Sequence, residues 1–154
     1  MNLSDILKPE AVKVLSAVSS KKRLFQDIGE LVESAYSLSA SATVDALLDR
    51  ESLGPTGVGH GVALPHSRIA ATSDVIGAFV LLERPIDFGA VDRQPIDIAF
   101  ALFAPEDAGV DHLKALALVS RTLRDSKLCS KLRANRDPAT LYAILTEGQS
   151  VQAA

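Results

Sequence analysis

At 154 residues the chain is long enough for one well-buried core and too short for two, so residues 1–154 read as a single domain. Apolar residues make up 47% of it and charged residues 23%, with seven prolines and nine glycines, a balance that excludes a disordered chain. A formal net charge of −3 leaves no basic excess, and no Lys/Arg stripe runs along a predicted helix, which argues against nucleic acid as a partner. The longest apolar run, Ile96 to Pro105, is broken by Asp97 and is far too short for a bilayer span, so no membrane insertion is expected. Asp5 and Lys8 interrupt the stretch that a signal peptide would need to be apolar, which predicts a cytoplasmic protein. The single Cys129 has no internal disulfide partner and reads as a packed thiol.

In chain order, Leu24, Ile28, Leu31, Val32 and Ala35 fall on one face of a helix over 21–36, with Ser20 as its cap. A second helix is predicted from near Ser41 to about Ser52, stopped by Gly54 and Pro55, with Arg50 and Glu51 in its last turn. After a glycine-rich loop, Val62 to Leu64 form a short buried strand ended by Pro65. Val75 to Leu82 and Ile96 to Phe103 are apolar runs of strand length, fit for the interior of a covered sheet. The turn-rich stretch between them is expected to hold a short edge strand around Phe88. Helical spacing returns from His112 to Leu123 and again from Ser126 to Ala134. Asp137 and Pro138 cap and open a final helix that buries Leu141, Ile144 and Leu145 and ends before Gly148, leaving a frayed tail at 149–154. The fold class is therefore α/β, a mixed sheet flanked by helices on both faces as an α/β/α sandwich.

Three histidines carry the candidate chemistry. His66 stands at a strand end beside the flexible loop, His112 follows Asp111 at a helix start, and His60 lies within the loop itself. The residues alone do not decide between a chemical role for His66 and a packed or surface one. Gly57, Gly59 and Gly61 fail as a dinucleotide fingerprint, because the third required small residue is Val62 in one reading and Leu64 in the other. The loop also runs into a strand and Pro65 instead of a Gly-Lys-Ser/Thr ending, so ATP is not indicated and no cofactor is expected. A zinc site built from His60, His66 and Asp111 or His112 has no familiar ligand spacing, and no metal is expected.

The segment Arg50 to His66, RESLGPTGVGHGVALPH, resembles the active-site signature of the fructose, mannitol and nitrogen-type enzyme IIA family of the bacterial phosphotransferase system. The SKKR stretch at Ser20 to Arg23 and the later IDIAFALFAP and DHLKAL segments match that family in order and spacing, so the resemblance covers almost the whole chain. It implies an α/β/α sandwich and a phosphorylatable histidine, His66, supported by His112 and Arg50. The chemistry agrees with that implication, since a neutral imidazole needs no separate base to attack a phosphoryl group and an Arg fork suits phosphoryl oxygens. Thr56 and the loop amides of Gly57 and Gly59 are further candidates to support phosphate, beside a purely structural reading of the loop. The sequence departs from the family pattern at Pro55, His60 and Ser67.

With no attached permease domain, the resemblance implies a regulatory member, which accepts phosphate from an HPr-like phosphocarrier and acts by binding regulated target proteins. Two alternatives stand beside it: an enzyme IIA serving a separate sugar permease, and a binding module that is never phosphorylated.

Overall fold

In a computed structural model the backbone is described over residues 1–153 and the side chains over 1–147. The elements in chain order are α1 (Leu3–Ile6), β1 (Leu7–Leu15), α2 (Lys21–Tyr36), α3 (Ala40–Glu51), β2 (Gly57–Gly59), β3 (Val62–Ala63), β4 (His66–Arg68), β5 (Ile76–Ile86), β6 (Ile96–Ala104), α4 (Val110–Leu123), α5 (Ser126–Arg133) and α6 (Pro138–Ala153). The six strands form one mixed sheet in the order β1-β5-β6-β3-β2, with β4 also paired to β6. β5 and β6 run antiparallel, whereas β1 lies parallel to β5, and both β3 and β4 lie parallel to β6.

Successive side chains of a strand point to opposite faces, so the unbroken burial of Ile76 through Leu82 in β5 requires cover on both. Helices supply it on either side of the sheet. Among the largest enclosed side chains are Phe79 and Phe100, directly opposed in register with ring centroids 6.3 Å apart. Each of these apolar side chains contributes on the order of 2 kcal/mol when fully buried.

α2 begins where predicted, with the Ser20 hydroxyl accepting from Arg23 N at 3.1 Å. Its buried face includes Leu24, Ile28, Leu31 and Val32. Gly29 lets α3 come close: a Cβ there would sit 2.7 Å from Val44 Cγ2 and 2.9 Å from the Ala40 carbonyl oxygen. α3 is capped by Ser39, two residues before Ser41.

Three expectations are corrected. Phe88 belongs to no strand: β5 runs on to Ile86, and Phe88 is held by burial, its ring edge-on to Phe25 at 5.9 Å and beneath the Lys21 ammonium at 4.3 Å. α6 continues past Gly148 to Ala153, since a single glycine weakens a helix without ending it. The fraying expected at 149–154 concerns side chains, and Ala154 entirely, that lie outside the described residues. The strand starting at Val62 leaves the ladder after Ala63 and rejoins β6 at His66, because Pro65 has no N–H to give. Its carbonyl still accepts from Leu102 N at 2.9 Å, so the interruption is anchored to the central strand.

Candidate active site

Arg50 lies in the last turn of α3, and its Nη1 donates to the Gly54 carbonyl at 3.0 Å. The next residue, Glu51, holds the following loop by accepting from Lys21 Nζ at 2.8 Å, Thr56 N at 3.1 Å and Thr56 Oγ1 at 2.6 Å. This carboxylate fixes the end of α3 against α2 and so fixes where Arg50 stands.

The break at Leu64 and Pro65 positions His66. The Leu64 carbonyl oxygen lies 2.8 Å from His66 Nδ1, and since a carbonyl only accepts, the proton of the neutral ring sits on Nδ1. The lone pair is therefore on Nε2. Burial lowers the His66 pKa; the Leu64 hydrogen bond opposes this, the Arg50 charge adds to it and Glu51 opposes it. The ring is thus neutral and nucleophilic near pH 7.

His112, in the first turn of α4, places its ring centroid 5.8 Å from that of His66 at an interplanar angle of 49°. It is 7% exposed, and its Nδ1 is enclosed without a hydrogen-bond partner among the described residues. A bare lone pair is the less costly group to leave unpaired there, which assigns the proton to Nε2. Burial again lowers the pKa, helped by the charges of His66 and Arg68. One ring thus offers a lone pair and the other an N–H.

An open depression of about 480 Å³ is lined by Arg50, His66, Ser67, Arg68 and His112, with Ala46, Asp49 and Leu53 around them. It brings together His66, His112 and Arg50. Arg68 joins them although the sequence reading passed over it. It stands two residues beyond His66 in β4, hence on the same face, a signal available once that segment is read as a strand. Its Nη1 donates to the Glu106 carbonyl at 3.2 Å.

Thr56, Gly57 and Gly59 do not line this depression. The Thr56 hydroxyl is engaged by Glu51, and a Cβ on Gly57 would meet Ala90 Cβ at 2.6 Å. His60 and Gly61, with φ of 57° and 80°, form the turn of the β2–β3 hairpin. His60 N donates to Asp92 Oδ2 at 3.0 Å, and the His60 carbonyl accepts from Arg133 Nη2 at 2.8 Å. His60 lines a different cavity from His66. Among the described residues no three His, Cys, Asp or Glu side chains are grouped to hold a metal ion. Cys129 is buried, its thiol donating to the Leu123 carbonyl at 3.2 Å, and burial pushes its pKa up.

A family model described as "Phosphoenolpyruvate-dependent sugar phosphotransferase system, EIIA 2" matches residues 5–148. The chain belongs to this family. Within the EIIA family it is 43% identical to a nitrogen regulatory protein of Bradyrhizobium diazoefficiens over 145 residues, covering 94% of this chain and 95% of that one. It is 40% identical to the nitrogen regulatory protein of Escherichia coli over 148 residues, covering 96% and 91% of the two chains. The crystal structure of nitrogen regulatory protein IIA-Ntr from Neisseria meningitidis superimposes with a TM-score of 0.84 at 37% identity, over 92% of this chain and 97% of that one. At 19% identity, the crystal structure of IIA mannitol from Escherichia coli shares the fold with a TM-score of 0.75, over 90% of this chain and 98% of that one. The chain is thus an EIIA phosphotransferase-system component similar to the nitrogen regulatory members. Among the described residues no helix is long and apolar enough to cross a membrane.

Proposed function

We propose that this EIIA protein works in the cytoplasm as a regulatory phosphotransfer protein, accepting a phosphoryl group on His66 from an HPr-like phosphocarrier and acting by binding regulated target proteins. The observation that carries the reading is the 2.8 Å hydrogen bond from His66 Nδ1 to the Leu64 carbonyl, which leaves a nucleophilic Nε2 in a depression shared with His112 and Arg50. Nε2 attacks phosphorus, the phosphorus–nitrogen bond to the carrier's phosphohistidine breaks, and its electron pair returns to the carrier's imidazole. The proton stays on Nδ1, hydrogen-bonded to the Leu64 carbonyl, so no base is needed. His112 Nε2–H and the Arg50 guanidinium are the donors for the charge on the transferring oxygens. The phosphorylated form then carries about −1.5 to −2 charge in a cleft whose lining otherwise holds the two imidazoles, Arg50, Arg68 and one carboxylate, Asp49, and this is the switch read by targets.

The experiment is incubation with a general phosphotransferase enzyme, an HPr-like carrier and phosphoenolpyruvate. One acid-labile phosphoryl group mapping to His66 is expected. Absence of label under conditions that charge the carrier, or label on His60, would overturn the reading. A 37% identical fructose-specific EIIA component of Haloferax volcanii, aligned over 69% of this chain, supports a second reading, an enzyme IIA of sugar uptake. Transfer onward to a sugar-specific IIB would favour it.

A further inference from the structure

On the other side of the β2–β3 hairpin, between it, the C-terminal end of α4 and α5, lies a cavity of about 430 Å³ that the phosphotransfer reading does not use. Its floor is apolar, built from Val62, Leu64, Leu123 and Cys129, each at most 5% exposed. Its mouth is polar: Ser120, Ser126 and Ser130 provide hydroxyls, and Arg124 and Arg133 provide guanidinium groups. Size and lining are those of a small-molecule site, apolar with a few convergent polar groups.

Charge selects the ligand. No carboxylate lines the cavity. Residues 121–136, which supply six of its lining residues, hold six of the chain's 16 basic residues and one of its 19 acidic ones, Asp125. That carboxylate caps α5 by accepting from Lys127 N and Leu128 N. Arg133 is balanced by Asp97, whose carboxylate accepts from Nε at 2.9 Å and from Nη2 at 3.0 Å, and it braces the hairpin through the His60 carbonyl. Arg124 is exposed and forms no ion pair or side-chain hydrogen bond among the described residues. A free guanidinium over an apolar floor with no competing carboxylate matches an anion carrying a hydrocarbon body.

We propose that this cavity binds a small organic carboxylate with a short apolar chain, the carboxylate on Arg124 and the chain on Val62, Leu64, Leu123 and Cys129. Leu64 makes the site relevant to His66, because the residue that floors the cavity also accepts the hydrogen bond of His66 Nδ1–H on its carbonyl. A ligand pressing on Leu64 shifts the carbonyl that fixes the His66 tautomer. The coupling runs through a single residue.

The test is titration of the unphosphorylated full chain, followed by ¹H–¹⁵N NMR, with 4-methylpentanoate, its neutral amide, acetate and a short acidic peptide. Binding is read without phosphotransfer, so the result is independent of whether His66 accepts phosphate. Saturable amide shifts at Val62, Leu64, Cys129 and Ser130 are expected with 4-methylpentanoate, with a Kd on the order of 1 mM. The amide and acetate should each bind about tenfold more weakly, which is the loss of about 1.4 kcal/mol. Arg124→Gln, at an exposed position that leaves the fold intact, should weaken binding about tenfold, whereas Lys22→Gln on α2 removes a distant charge without effect. The His66 ring ¹⁵N signals should move in step with Leu64. Shifts that do not saturate, equal response to the amide, or response to the acidic peptide alone would overturn the site. Saturable binding with unmoved His66 ring signals would overturn its coupling to phosphotransfer.

Discussion

The rings of His66 and His112 face one depression with centroids 5.8 Å apart, and their hydrogen-bond surroundings assign them opposite tautomers, Nδ1–H on His66 and Nε2–H on His112. His66 Nε2 is the lone pair that attacks and His112 Nε2–H the donor beside it, which gives their substitutions different outcomes. His66→Ala is expected to abolish phosphoryl acceptance at any incubation time. His112→Ala removes one donor, for which a loss of roughly 2–4 kcal/mol slows labelling about 10²–10³-fold while still marking His66. Arg50→Lys, which keeps charge without the planar fork, should slow transfer less than Arg50→Ala. Time courses with a charged carrier check all four variants, and unaltered kinetics in His112→Ala would remove it from the site.

Acid should weaken both stability and transfer. Burial lowers the pKa of each ring in the folded chain. As pH falls below about 6.5, the ordinary histidine value, the unfolded chain therefore takes up protons first. The stabilising contribution is fully present above that pH and is lost as pH falls toward the lowered folded values. Melting temperature followed from pH 8 to pH 5 should drop more steeply in the wild type than in a His66→Ala, His112→Ala double variant. The labelling rate should stay flat through pH 6.5 and decline only below it. A decline already centred at pH 6.5 would contradict the burial of His66.

Much of this arrangement was legible in the residues. Helical spacing in 21–36 and the apolar runs at 75–82 and 96–103 report burial directly, because period and composition follow from which faces are covered. β1 was not legible: Lys8, Pro9, Glu10 and Lys13 break its pattern, and only the parallel register with β5 makes it a strand. β2 and β4, at three residues each, are too short to show a period and exist through pairing with β3 and β6. The same shortness hid Arg68. The Leu64 hydrogen bond that sets the His66 tautomer depends on a strand interruption, whose outcome Pro65 signals and the sheet decides.

Glu51 is expected to govern the loop more than its place at the end of a helix implies. Its side chain is 8% exposed and accepts from Lys21 and twice from Thr56. Glu51→Ala leaves those donors without their acceptor, at a cost of about 2–3 kcal/mol. That corresponds to a fall of about 4–12 °C in melting temperature for a chain of this size. Labelling should also slow, because the end of α3 that carries Arg50 loses its tie to Thr56. An unchanged melting curve would show that the loop is held by other contacts.

Arg68 offers the sharpest separation between charge and scaffold. It stands on the same face of β4 as His66, lines the same depression, and its charge is one cause of the lowered His112 pKa. Its guanidinium donates to the Glu106 carbonyl, so the side chain is held across the end of the sheet instead of extending freely into water. Arg68→Gln removes the charge and keeps a polar side chain at an exposed position, so the melting temperature should change by no more than about 2 °C. Labelling of His66 should slow about tenfold, the scale of one lost charge-assisted contact to the phosphoryl oxygens. The His112 ring should titrate at higher pH in this variant, toward the ordinary value, because a repelling positive charge has gone. Arg68→Lys should restore both the rate and the His112 titration in large part. If Arg68→Gln labels at the wild-type rate while the His112 titration still moves, Arg68 tunes His112 without touching the phosphoryl group, and the charge on the transferring oxygens is carried by Arg50 and His112 alone.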